Sequence, residues 1–223
     1  MIVFNPTEHE PGQCQGVLSQ VVVPRPIAMI STADDSGLPN VAPFSYYMAV
    51  TGKPMYVAVT MGALRDCDGR PKHSFANAVR SGDFVINVTT DRFKHQIEVA
   101  GMEFPDELSE LDELGWTAIP SQRVTSPSIA ESPAHLECRI HQIVDLGDPA
   151  VQGSGVHVVI AEVVCLVLDE SVATPDFQVD QLKLAPIGRM GSPYYNRTVP
   201  ESLYELERTP YARWASAQAE PER

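Results

Sequence analysis

The chain has 223 residues, 43% of them hydrophobic and 20% charged, with a formal charge of −13, a composition that fits one generous globular domain. The acidic field repels phosphate backbones and anionic lipid, and the basic residues form no local patch, so nucleic-acid and membrane partners are not expected. The start, MIVFNPTEHEPGQ, has acids where a signal peptide carries its basic region. The longest apolar run, VVIAEVVCLVL at 158–168, is too short to span a bilayer and is broken by Glu162. The expectation is a cytoplasmic protein.

In chain order, PRPIAMIST (24–32) reads as a strand, and ADDSGLPN supplies turn formers after it. VAPFSYYMAV (41–50) reads as the next strand. Ala42, Phe44, Tyr46, Met48 and Val50 fall on one apolar face, and Val41, Pro43, Ser45, Tyr47 and Ala49 on the other. Proline in a strand marks an edge, a first residue or a bulge. Pro43, with Asn40 and Ser45 close by, therefore suggests an edge that offers hydrogen bonds to a ligand. TGKP turns the chain into MYVAVTM (55–61), and the polar loop GALRDCDGRP follows, with Cys67 read as a plain loop thiol. HSFANAVRSG (73–82) fits a short helix with Phe75, Ala78 and Val79 on one face and Gly82 as its stop. FVINVTT (84–90) reads as a strand.

The region 91–120 changes character. RFKHQIEVAG fits a helix, and FPDELSELDELGW fits an amphipathic one through Leu108, Leu111 and Leu114. Its carboxylates Glu107, Glu110, Asp112 and Glu113 read as a solvated face. AHLECRIHQIVDLG and SGVHVVIAEVVCLVLD are strands long enough to wrap a barrel. LAPIGRMGSPYYNRT is rich in glycine and aromatics, ESLYELER fits a small helix, and ASAQAEPER reads as a frayed tail. Many strands of antiparallel type, few short helices and no βα repeat predict a mainly β barrel or sandwich. One domain over 1–223, with a C-terminal tail from about residue 200, is expected.

The usual catalytic and nucleotide-binding fingerprints are absent. The four cysteines follow no zinc spacing, and His135 and His141 alternate with Cys138 across a strand, so no metal site is expected. Two stretches remain. Ser31 and Thr32 end the strand before GLPNVAPFS, and RPKHSFAN (70–77) sets Lys72, His73 and Ser74 just before a helix. A cation, a hydroxyl and free helix-start N–H groups suit a phosphate. Taken alone, that stretch is better explained by Ser74 as a plain N-cap.

The order RPIAMIST, GLPNVAPFSYY, KHSFAN and then a strand ending in Asn87, with GRMGSPYYNRT later, resembles the flavin reductase-like FMN-binding family. That family includes the reductase components of two-component flavin monooxygenases, such as nitrilotriacetate monooxygenase component B. The resemblance implies a Greek-key split β-barrel and a homodimer with FMN at the barrel surface. It implies that Ser31, Thr32, Asn40, Ala42 and Ser45, with Pro43 and Phe44 of the same strand, line the flavin ring and ribityl chain. By the same match Lys72, His73 and Ser74 hold the phosphate, and Arg25, Asn77 and Arg189 are further candidates. His73 departs from the family's commoner Asp, and Ser192-Pro193 from its second glycine. The implied activity is an NAD(P)H-dependent flavin reductase that passes hydride to FMN N5 and supplies reduced flavin to a partner oxygenase. No side-chain acid or base is required for that step. The alternatives are a non-reductase FMN-binding protein or electron carrier, and a barrel that binds something else.

Overall fold

The computed structural model describes residues 1–62, 64, 69–70, 72–147 and 155–219. Cys67 lies outside the described residues. The chain opens with helix α1 (Pro11–Val21), then strands β1 (Arg25–Pro26), β2 (Ala28–Ala33), β3 (Pro39–Phe44), β4 (Tyr47–Gly52) and β5 (Met55–Gly62). Helix α2 (His73–Ser81) leads into β6 (Asp83–Val88), and α3 (Ile97–Ala100) and α4 (Glu110–Leu114) follow. Next come β7 (Ala118–Ile119), β8 (Ser128–Ile129) and the long pair β9 (Ala134–Asp145) and β10 (Val156–Leu168). The chain closes with α5 (Gln181–Leu184), β11 (Ile187–Arg189), β12 (Tyr195–Arg197) and α6 (Tyr211–Ala219). Among these no helix is long and apolar enough to cross a membrane.

Seven strands form one antiparallel sheet in the order β3-β2-β6-β9-β10-β5-β4. Its two outermost strands, β3 and β4, are consecutive in the chain. The stretch 41–50 is therefore not one strand: it breaks at Ser45-Tyr46 and crosses from one sheet edge to the other. The Thr60 N–H donates to Tyr46 O across 2.8 Å and ties this bend to β5. The result is a split barrel, as the family resemblance implies. The break also ends the alternation, so Met48 and Val50 are exposed while Val41 is buried.

The barrel interior is filled by Ala28, Ile30, Val57, Val59, Met61, Phe84, Ile86, Cys138, Val159 and Ala161. The opposite face of β2 and β3 is covered by the segment from 91 to 130, which contributes Phe93, Ile97, Ala100, Leu111, Trp116 and Ile129 around Met29 and Val41. Burial on both faces explains why β2 and β6 show no alternation of apolar and polar residues, and the polar groups they bury, Ser31 and Asn87 among them, are hydrogen-bonded.

Several predicted elements shrink or move. RFKHQIEVAG gives only a 3-10 turn (Asp91–Phe93) and the four-residue α3. The helix of FPDELSELDELGW starts only at Glu110, and Leu108 is exposed. ESLYELER holds a single 3-10 turn, and the terminal helix lies further on as α6. Helix α2 ends at Gly82, whose φ of 74° is left-handed, as its sequence predicts. Its buried face is Ser74, Asn77 and Ala78, with Val79 exposed, so the helix turns polar groups inward.

The outer segment has little ladder of its own, and buried carboxylates on the barrel hold it. Asp83 accepts from the N–H and hydroxyl of both Thr125 and Ser126, at 2.7–3.0 Å. Glu137, with no solvent exposure, accepts from the N–H groups of Gln122 and Arg123. Burial works to raise the Asp83 pKa, but the bonds from Thr125 and Ser126 outweigh it and hold the carboxyl below its usual range. A depressed folded pKa gives stability that is present above the ordinary carboxylate range and lost as pH falls through the folded value. Asp83→Ala is expected to lower the unfolding free energy by about 2–3 kcal/mol at neutral pH, because it strands two N–H donors. Urea midpoints should show that deficit shrinking on acidification.

Candidate functional site

The site begins with the open side of β3, a strand that pairs only with β2. The Val41 N–H points away from β2 and donates to Glu110 Oε2 at 3.1 Å. Alternation then turns the nitrogen of Pro43 outward as well. A residue without an N–H costs this strand no ladder bond, which answers why proline is tolerated there.

At one end of β3, Asn40 meets the start of α2. The Asn40 carboxamide oxygen accepts from the Ser74 hydroxyl at 2.8 Å and from the Val41 N–H at 3.2 Å, and its nitrogen donates to Glu110 Oε1 at 3.3 Å. Helix α2 begins at Lys72 with no side-chain cap. Its first N–H groups therefore face the same corner, since a helix cannot satisfy them itself. Behind them Asn77 donates to Thr32 Oγ1 at 3.3 Å.

Seven predicted residues, Asn40, Ala42, Pro43, Phe44, Lys72, His73 and Ser74, line one cavity of about 120 Å³. Pro43 and Gly101 connect it to a larger cavity of about 510 Å³, where Ser45 and Arg189 join Lys94, Glu98 and Tyr195. Asn40 and His73 connect it on the other side to a third, of about 320 Å³, which Asn77 also lines. The three form a groove along β3, and the large one has the volume of an ordinary small-molecule site.

Of the other predicted residues, Ser31 and Thr32 line none of these three cavities, and Arg25 lines a further one of about 380 Å³ that shares Ser45, Arg189 and Ser192 with the large cavity. Ser31 and Thr32 are fully buried, and the Ser31 hydroxyl donates to Pro127 O while accepting from Asn87. Arg25 is buried, with its guanidinium on the carbonyls of Ser19, Val22 and Met190 and 5.4 Å from the Tyr46 ring centroid. It clamps α1 to the barrel beyond the bend. Arg189 stacks on Tyr195 at 4.4 Å. His135 lies 3.0 Å from Asn87 Oδ1 and His141 packs against Tyr56. Among the described residues no group of His, Cys, Asp and Glu is arranged for a metal.

The acidic stretch is the part that sequence reasoning misplaced. Glu110 is not on a solvated face: it is 4% exposed, and it closes the corner between Val41, Asn40 and Ser74. Upstream, Asp106 takes Arg70 in a two-bond fork at 2.7 and 3.1 Å and lies 2.9 Å from His73 Nε2. Glu103 lies 3.6 Å from Lys72 Nζ. A carboxylate in a run of carboxylates carries no sign of which one turns inward.

A split barrel with a polar groove on its outer strand defines the class of protein. The family model for a flavin reductase like domain matches residues 19–188, and the chain belongs to that family. An uncharacterized protein of Halalkalibacterium halodurans is 32% identical over 184 residues, 81% of this chain and 85% of that protein. Nitrilotriacetate monooxygenase component B of Bacillus cereus superposes with a TM-score of 0.84 at 24% identity, covering 92% of this chain and 98% of that one. The 2-nitrobenzoate 2-nitroreductase of Pseudomonas fluorescens gives 0.80 at 23%, covering 94% and 97%. These two structural likenesses establish the fold.

Burial raises the Glu110 pKa, and its own backbone bond, the Val41 N–H and the nearby His73 only partly oppose this. A folded pKa above the unfolded one means that stability falls as pH rises through that range. Glu110→Gln keeps an acceptor for Val41 and should raise the thermal midpoint at pH 7. The gain should vanish below the ordinary carboxylate range; a gain that persists in acid would assign the effect to packing.

Proposed function

We propose that this chain is an FMN-binding oxidoreductase, an NAD(P)H-dependent flavin reductase that supplies reduced flavin to a partner oxygenase. The observation that supports it most is the convergence of Asn40, Lys72, His73 and Ser74 at the uncapped start of α2, at one end of a groove. A cation, a hydroxyl and helix-start N–H groups match the chemistry of a phosphate monoester. Gly101, which lines both the small and the large cavity, keeps the groove continuous where any side chain would enter it.

On this proposal Ser74, Lys72 and the first turn of α2 hold the phosphate, and Asn40 fixes the Ser74 hydroxyl. Ala42, Pro43 and Ser45 wall the path toward the large cavity. There Lys94, Arg189 and Tyr195 offer charge and an aromatic face to a second ligand, for which a nicotinamide nucleotide is proposed. Ser31 and Thr32 support β3 from behind. A bound flavin supplies the two-electron acceptor for hydride, and this chain supplies placement and electrostatics, with no side-chain acid or base in the step. The chain is proposed to act as one cytoplasmic domain over 1–223 and as a homodimer. Exposed Leu18 and Val21 on α1, with Met48 and Val50 on β4, offer apolar surface for a second copy.

The decisive test is anaerobic: protein loaded with FMN receives NADH, then NADPH, against a protein-free control. Bleaching of the flavin band well ahead of the control is expected. Flavin that binds yet stays yellow with both donors replaces the reductase with a carrier. The groove itself is tested by Gly101→Leu, at a backbone φ of −90° that any residue adopts. A Cβ there would meet Glu98 O at 3.4 Å, Ile97 O at 3.5 Å and Pro43 Cγ at 3.6 Å, ordinary contacts. FMN affinity should fall by about tenfold or more with little change in thermal midpoint. Unchanged affinity would move the flavin elsewhere.

A further inference from the structure

Given the flavin site proposed above, we infer that Glu103 and Asp106 set its flavin specificity. Their carboxylates already occupy the groups that a phosphate would use, so the chain gains little from the phosphate and accepts riboflavin nearly as well as FMN.

The three cationic groups at the start of α2 each have a carboxylate of this segment on them. Arg70 holds Asp106 in a two-bond fork at 2.7 and 3.1 Å, the geometry with which arginine also takes a phosphate. The His73 imidazole shares that carboxylate at 2.9 Å, and Lys72 lies 3.6 Å from Glu103. Glu110 adds a further carboxylate to the wall of the same small cavity. Among the described residues the corner thus sets the carboxylates of Glu103 and Asp106 against Arg70, Lys72 and the His73 imidazole. A phosphate monoester, at about −1.5 to −2 near neutral pH, finds these cations already paired.

The carboxylates are also held in place. The segment that bears them runs between α3 and α4. At one end, Ile97 and Ala100 of α3 are buried in the core beneath it. At the other, the Ser109 hydroxyl donates to Pro39 O at 2.6 Å and Glu110 is fixed on Val41. Tethered at both ends over the start of α2, Glu103 and Asp106 compete for its cations at high effective concentration. The pairs are exposed enough to be displaced, with side-chain exposures of 58% and 41% for Arg70 and Asp106, and such pairs are individually weak. A phosphate therefore enters, but it exchanges one anion for another. The ring and the ribityl hydroxyls then dominate affinity.

The test is calorimetric titration of the full chain with FMN and, separately, with riboflavin, in the wild type and in the double variant Glu103→Gln/Asp106→Asn. The expected wild-type dissociation constants agree within about tenfold, and in the variant FMN tightens by about tenfold while riboflavin stays within about twofold. A wild-type preference for FMN above about tenfold overturns the inference. So does a variant in which FMN does not tighten relative to riboflavin. The wild-type ratio stands as a test on its own if the variant does not fold. Failure of both flavins to bind removes the flavin site itself, a result distinct from either of these.

Discussion

Backbone N–H groups without a ladder partner set the terms for this structure. The segment from 91 to 130 covers one face of the barrel but has only short helices and the two-residue strands β7 and β8. Leaving its donors buried and unpaired would cost more than its apolar contacts return. Carboxylates resolve this. Asp83 and Glu137 reach out from the barrel to Thr125, Ser126, Gln122 and Arg123, and Glu110 reaches back from the outer segment to Val41. Each is buried, and each accepts more than one hydrogen bond, so the carboxyl groups join the two layers by their acceptor oxygens. Asn87 does the same work as a neutral group, donating to Met29 O and accepting from the Ile129 N–H.

The groove follows from how that joining is done. Because Glu110 satisfies only the first outward donor of β3 and Pro43 has none to offer, no further strand adds to this edge. The chain instead bends at Ser45-Tyr46 and re-enters the sheet at its far side. The outer segment bonds to the start of β3, through Ser109 on Pro39 O and Glu110 on Asn40 and Val41, and the groove is the space beside the rest of the strand. Gly101 stands where a side chain would reach van der Waals distance of Pro43.

The barrel was largely legible in the sequence, because strand runs such as FVINVTT and VVIAEVVCLVL carry their own periodicity and β-branched content. Helix α2 was legible to its last residue through Gly82. What failed has a common cause. The stretch 41–50 keeps perfect alternation through a bend that only sheet closure imposes, so its period gives no warning that Met48 and Val50 reach solvent. Helix α1 was missed because it buries none of its residues and so leaves no apolar stripe to read. In the site, Asn40, Lys72 and Ser74 were found through short motifs, and they do meet in one cavity. Glu110 could not be found that way. Its burial depends on the outer segment folding back over β3, a contact between residues 69 apart in sequence that no local pattern encodes.

The same long-range contact gives the acidic composition a local meaning. A formal charge of −13 is an argument about partners at a distance, where screening leaves only the net field. At the start of α2 the relevant balance is between a few groups within hydrogen-bond reach, and there the fold brings Glu103, Asp106 and Glu110 onto a corner that by its motif alone is cationic. The family pattern that the sequence resembles has an acid directly after the lysine, where this chain has His73. Here the acid arrives from across the groove instead, as Asp106 on His73 and Arg70. Acid carried on the helix start is fixed beside its neighbours, whereas Glu103 and Asp106 reach the same cations through partly exposed side chains, which a competing anion displaces without moving α2 or the segment that bears them. For a protein proposed to hand its flavin on rather than keep it, that separation matters. Capture and release of an anion become an exchange between two weak, exposed sets of ion pairs, and neither state requires the barrel to change.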